Sequence, residues 1–137
     1  MNTKKEDKQM NTKEMHDVMT ETQAGQLIFP EVVRRLSQIG VESYFVDFAT
    51  GAETLYTTAG ETHIEAMTLP VHPIAAEFSK DGIVAAIRGA QADTIRYPAF
   101  VELATSAGVI AYWAYLTGRK VVYFGRKGEL HIENFPN

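Results

Sequence analysis

Apolar residues recur along this chain with two periods, and the two periods alternate twice. Over residues 12–25, Met15, Val18, Met19 and Thr22 fall on one stripe at helical spacing, with Thr12 as the expected N-cap and Gly25 as the stop. Phe29-Pro30 opens a second helix, because a proline in the first turn gives up no hydrogen bond. Val32, Val33, Leu36 and Ile39 form its inner face, and Gly40 ends it as a left-handed cap. The period then drops to two. Tyr44, Val46 and Phe48 alternate with Ser43, Phe45 and Asp47 in a strand that begins at Val41. Thr50-Gly51 and Ala59-Gly60 are turns, separating further strands expected over 54–58 and 61–68.

The same plan follows a proline-broken connector (69–73) and a short helix expected at 74–79. Asp81 is placed to cap a helix whose face is Ile83, Ala86, Ile87 and Ala90. Tyr97-Pro98 opens the next helix, with Phe100, Val101 and Leu103 apolar, and Gly108 closes it. Residues 109–116 are apolar at both parities, which predicts a strand in the middle of a sheet. Strands over 121–124 and 129–135 complete a second three-stranded meander.

The recurrence is a duplication at the level of residues. Shifted by 68 positions, residues 13–69 lie on 81–137 without a gap, and 12 of the 57 pairs are identical by direct count. Gly60-Glu61-Thr62-His63-Ile64-Glu65 returns as Gly128-Glu129-Leu130-His131-Ile132-Glu133. Pro30/Pro98, Gly40/Gly108 and Gly60/Gly128 match where backbone geometry demands it, and Val41/Val109, Tyr44/Tyr112 and Ile64/Ile132 match as core-like strand positions. A half of this size is marginal alone. The expectation is therefore an α+β fold in one domain over 12–137: two intertwined halves about a pseudo-twofold axis, with antiparallel strands packed on helices. Residues 1–11, mixed in charge and without periodicity, read as a disordered tail.

Composition narrows the function. A formal net charge of −4 argues against a nucleic-acid binder or a basic membrane-surface helix. The absence of cysteine excludes disulfides, thiolate metal sites and a cysteine nucleophile, and fits a cytoplasmic protein. No apolar run approaches the roughly 18 residues that span a bilayer, and the N-terminus lacks the apolar core of a signal peptide. There is no glycine-rich phosphate loop, dinucleotide fingerprint or serine triad.

One set of residues has no purely structural reason to repeat. In a strand, Glu61, His63 and Glu65 share one face, as do Glu129, His131 and Glu133. If the pseudo-axis brings these strands together, two imidazoles and up to four carboxylates meet, a donor set suited to zinc or manganese with His63 and His131 as ligands, or to acid–base work. The plainer reading is a polar solvent face that discourages pairing of an edge strand. His16 and His72 have no counterpart in the other half and read as surface or loop residues. The aromatic strand residues Tyr44, Phe45, Tyr112, Trp113, Tyr115, Tyr123 and Phe124 read as core, as a ligand pocket or as a partner surface.

Several stretches taken together resemble a known family. These are Phe29-Pro30-Glu31-Val32-Val33-Arg34, Gly40-Val41-Glu42-Ser43-Tyr44, 81–88, Gln91-Ala92, Tyr97-Pro98, Ala107-Gly108-Val109, Tyr123-Phe124-Gly125 and Phe135-Pro136. From about Phe29 onward the chain is similar to the YbcV-like family, bacterial and prophage-associated proteins of unknown function sometimes labelled phage envelope proteins. The resemblance implies an α+β fold and a bacterial setting; it brings no catalytic residues and no cofactor. The reading that follows is a non-enzymatic protein that binds a protein partner or a second copy of itself. The alternative is a small-ligand or divalent-metal binder using the repeated Glu-x-His-x-Glu face.

Overall fold

A computed structural model describes residues 10–136, so all but the last two residues of the expected tail lie outside the described residues. The elements run α1 (Thr12–Gln23), α2 (Phe29–Gln38), β1 (Val41–Asp47), β2 (Ala52–Thr57), β3 (Thr62–Ala66), α3 (Lys80–Gln91), α4 (Tyr97–Ser106), β4 (Val109–Tyr115), β5 (Lys120–Gly125) and β6 (Leu130–Asn134). This is an α+β fold in which a helix–helix–meander unit occurs twice. Both proline-initiated helices start where the sequence places them.

The details differ at three points. Asn11, not Thr12, caps α1, its side chain accepting from the Glu14 N–H at 3.0 Å, and Met10 packs on the core. Ser79 rather than Asp81 caps α3. The short helix expected at 74–79 is absent, because that segment's backbone is used elsewhere: Ala75 N–H donates to Thr105 O and Ser79 N–H to Ala107 O, pinning the connector along the end of α4. Of the apolar residues of α4, Phe100 and Val101 are buried and Leu103 is exposed.

All six strands form one antiparallel sheet in the order β3-β2-β1-β4-β5-β6. The two meanders join through β1 and β4, as the two-sided apolar character of 109–116 predicts. Phe45 pairs with Trp113, its own counterpart under the 68-residue shift, so the pseudo-twofold axis passes between them. Within the sheet the halves lie side by side across this seam, while in the helical layer they interlock: α4 of the second half packs on α1 of the first, and Phe29 of the first meets Phe135 of the second. The buried strand residues Tyr44, Val46, Leu55, Tyr112, Ala114, Val121 and Tyr123 belong to one core with Met15, Val18, Val32, Leu36, Ile83 and Val101 from the helices. The helices therefore cover one face of the sheet and leave the other open.

The halves are not equivalent in tolerance. Gly40 and Gly108 both close a helix at positive φ (87° and 84°). A Cβ at Gly40 meets nothing nearer than 4.0 Å, whereas at Gly108 it would lie 2.3 Å from the Glu77 carbonyl oxygen in the pinned connector. Urea denaturation at one protein concentration should show Gly40→Ala losing about 1 kcal/mol, the cost of a left-handed alanine. Gly108→Ala should lose at least about 3 kcal/mol, because backbone must move to admit the methyl. Equal losses would contradict the packing.

Candidate functional site

The parity of each strand is fixed by its neighbours, since residues paired across a ladder share a face. Fully buried Leu55 pairs with His63, so His63 and Glu65 face the helices and Ile64 faces outward. On the other side Tyr123 pairs with His131, and His131 and Glu133 face inward likewise. Ile64 and Ile132, expected in the core, are 67% and 51% exposed. The Glu-x-His-x-Glu face is thus the helix-side face of each edge strand, not its solvent face.

The two copies do not meet. β3 and β6 are opposite edges of the sheet with four strands between them, a separation of roughly 24 Å at the usual strand spacing. The shared set of two imidazoles and four carboxylates is not assembled. Among the described residues no group of three or more His, Asp or Glu side chains is placed to hold a metal ion. Glu61 and Glu129 stand apart from the inward pairs. Glu61 lies at the hairpin turn before β3, where its N–H donates to Thr57 Oγ1. Glu129 folds back over its own turn and accepts from the Lys127 N–H at 2.9 Å; its own and the Lys127 backbone amides hold its carboxyl below the ordinary range.

Each inward pair is instead tied locally. His63 Nε2–H donates to Glu65 Oε2 at 2.6 Å, and His16 Nδ1–H from α1 donates to Glu65 Oε1 at 2.8 Å. Burial opposes ionisation of Glu65, but these two bonds outweigh it and hold the carboxyl below its usual range. In the second half, Arg88 of α3 takes the helix role, donating to Glu133 Oε2 at 2.7 Å, with His131 Nε2 at 3.2 Å from Oε1. Burial of Glu133 is again outweighed by these bonds. His16 therefore has a partner that its isolated position in the sequence did not announce.

A further residue escaped the sequence reading. Glu53 lies in β2 at the same parity as Leu55 and is only 2% exposed. Its Oε1 accepts from Gln23 Nε2 at 2.8 Å, and Gln23 Oε1 in turn accepts from the Thr68 N–H and, at 2.7 Å, from Thr68 Oγ1–H. Burial, reinforced by the nearby Glu65 carboxylate and only partly relieved by Gln23, pushes the Glu53 carboxyl up to about 8. The 68-residue register carries a signal for it, because Glu53 falls on Val121, an acid against a core aliphatic.

The aromatic strand residues divide between the two faces. Tyr44, Tyr112 and Tyr123 line a cavity of about 280 Å³ on the helix side, together with Tyr97 of α4. Tyr97 and Tyr112 share a hydroxyl–hydroxyl hydrogen bond of 2.8 Å. Phe45, Trp113, Tyr115 and Phe124 stand on the open face. There Trp113 meets Phe45 edge-on at 5.1 Å and stacks on Tyr56 and Tyr115, each at 5.5 Å.

Glu53 yields a pH prediction. Its unfolded form ionises near 4.5 and its folded form near 8, so the stability it supports is fully present below about pH 4.5 and is lost as pH rises through 8. Glu53→Gln retains an acceptor for Gln23 without the titrating proton. It should match the wild type near pH 4.5 and exceed it by roughly 2–4 kcal/mol at pH 8.5, as measured by denaturant unfolding at both pH values. A constant difference across that range would contradict a buried, protonated Glu53.

No curated protein matches the chain. The family model described as "Protein of unknown function (DUF1398)" matches residues 6–134. With almost the whole chain matched, including both copies of the helix–helix–meander unit, the protein belongs to this family of unknown function.

Proposed function

We propose that this protein is a binding protein without a reaction of its own, and that it works as a face-to-face dimer in which a second copy covers the open side of the sheet. The observation that carries the reading is the composition of that face. Its middle cross-strand row is Ile64, Thr54, Phe45, Trp113, Val122 and Ile132, apolar at every position but one. Tyr56, Tyr115, Phe124 and Leu130 stand in the flanking rows. Ile64, Leu130 and Ile132 are more than half exposed. The Trp113 indole N–H, buried among its neighbours, has no acceptor among the described residues.

Size and symmetry favour a second copy over an unrelated partner. Six strands and three cross-rows span roughly 29 by 20 Å. Two stacked copies would bury roughly 1,100 Å² in total, above the roughly 1,000 Å² that a biological interface clears. A twofold dimer places one patch on itself, and an apolar row across the sheet, broken only at Thr54, serves both partners equally. The edges favour the face in another way. His63, Glu65, His131 and Glu133 direct polar and charged groups inward on both edge strands, a device that discourages strand addition at an edge. Growth by edge pairing is blocked at both ends, and the open face is the surface left to cover. A cytoplasmic, bacterial and prophage-associated setting, drawn from the lack of cysteine and the YbcV-like resemblance, belongs to the same reading.

Sedimentation equilibrium tests it. The wild type should show twice the chain mass at micromolar concentration. The double variant Ile64→Glu with Ile132→Glu changes two exposed side chains outside the core, so it should stay folded by circular dichroism and sediment as a monomer, its dissociation constant raised at least about 100-fold. A wild type that is monomeric at about 100 μM, or a variant that keeps the dimer mass, would refute the proposal.

A further inference from the structure

The helix-side cavity is a separate feature from the open face, with a chemistry of its own. Its volume, about 280 Å³, is near the lower end of small-ligand pockets. It is also roughly twice the ~150 Å³ that takes up one benzene ring. The wall is chiefly apolar, built from the core residues Val32, Ile87, Phe100 and Val121, with Phe29 and Phe135 meeting edge-to-face at 5.3 Å on the outer side.

The polar groups of the wall define what it would accept. Three charged side chains line it, and each is already neutralised. Arg96 Nε–H donates to Asp93 at 2.6 Å, and Glu133 holds Arg88 and His131. Among the described residues no free charge is left to offset a charge on a ligand, and an uncompensated charge in an apolar enclosure is strongly disfavoured. The Tyr44, Tyr97 and Tyr112 hydroxyls supply the specificity. The Tyr97 and Tyr112 hydroxyls are 2.8 Å apart and Tyr112 also bonds to the Tyr44 hydroxyl, so three hydroxyls hold three hydrogens and their two mutual bonds use two. The third remains as a donor for an acceptor atom brought by a ligand. Burial keeps all three phenols protonated throughout the neutral range.

From the cavity's size, its neutralised charges and its spare hydroxyl hydrogen, we infer that it is a binding site for an uncharged two-ring aromatic or alicyclic molecule that carries one carbonyl or ether oxygen. The oxygen accepts from these tyrosine hydroxyls and the rings fill the apolar space under α2, α3 and α4. Glu133, one of the repeated strand carboxylates, belongs to this wall as a partner of Arg88 and not as a direct ligand group.

The test is a proton–nitrogen NMR titration of the full chain with 2-acetylnaphthalene as probe. Saturable shifts are expected at Ile95, Tyr97 and Phe135, with a dissociation constant below about 0.5 mM. The anion 2-naphthoate, similar in size, should bind at least about 10-fold more weakly, and 2-ethylnaphthalene, which lacks the oxygen, about 5-fold more weakly. Tyr44→Phe, Tyr97→Phe and Tyr112→Phe combined should erase the preference for the ketone over the ethyl compound. Ala90→Phe, which places a ring in the cavity from α3, should abolish binding while the spectrum stays dispersed. The charge comparison uses the wild type alone and so does not depend on any variant folding. Absence of saturable shifts, shifts centred on Phe45 and Trp113, equal binding of the naphthoate, or unchanged binding to a folded Ala90→Phe protein would each overturn the inference. None of these outcomes depends on whether the open face dimerises.

Discussion

The antiparallel ladder between β1 and β4 is the contact on which the rest of the structure depends. It makes two three-stranded meanders, each too small to bury a core alone, into one six-stranded sheet. Its register places Phe45 opposite Trp113, and the symmetry this creates decides where everything else goes. A twofold axis normal to the sheet sends both helix pairs to the same side. It sends both third strands to the outside. One face is therefore thickly covered and the other is left open, and the repeated His and Glu residues lie at the two most distant edges of the sheet. A seam of this kind explains at once why the duplicated motif recurs and why its copies do not cooperate.

Much of this architecture was legible in the residues. Pro30 and Pro98 mark helix starts, Gly40 and Gly108 mark their ends, and the apolar character of 109–116 at both parities marks a central strand. What failed was the side assigned to the third strands. Ile64 and Ile132 look like core residues because apolar positions in an edge strand ordinarily face the core. Here both faces of the sheet are apolar, so hydrophobicity alone cannot set the parity of β3 and β6. The pairing with Leu55 and Tyr123 sets it instead, and that is a property of register. Glu53 was missed for a related reason. It stands next to a turn, where an acid is unremarkable, and only the alternation through Leu55 carries it inside. The missing helix at 74–79 reflects tertiary hydrogen bonds that no local pattern records.

The departures from symmetry show where the halves have been put to different use. His16 anchors the first edge carboxylate and Arg88 the second. Glu53 and Gln23 form a buried polar link where the other half has Val121. The connector that packs on Gly108 comes within a Cβ's reach of that glycine alone of the pair Gly40/Gly108. The enclosed tyrosines and the cavity they line draw on both halves, with Tyr44 from one and Tyr97, Tyr112 and Tyr123 from the other. These phenols are buried within the single chain, Tyr44, Tyr112 and Tyr123 among its core residues.

A face-to-face dimer would make this open face an interior surface of the working molecule. The chain has a single tryptophan, and it stands at the centre of that face beside the pseudo-axis. Acrylamide quenching of Trp113 fluorescence across a dilution series reports its cover directly. A dimer of this kind should give weak quenching and blue-shifted emission at high concentration, changing together to stronger quenching and red-shifted emission on dilution, while far-ultraviolet circular dichroism stays constant. Quenching and emission that do not change between about 100 μM and 0.1 μM would contradict it.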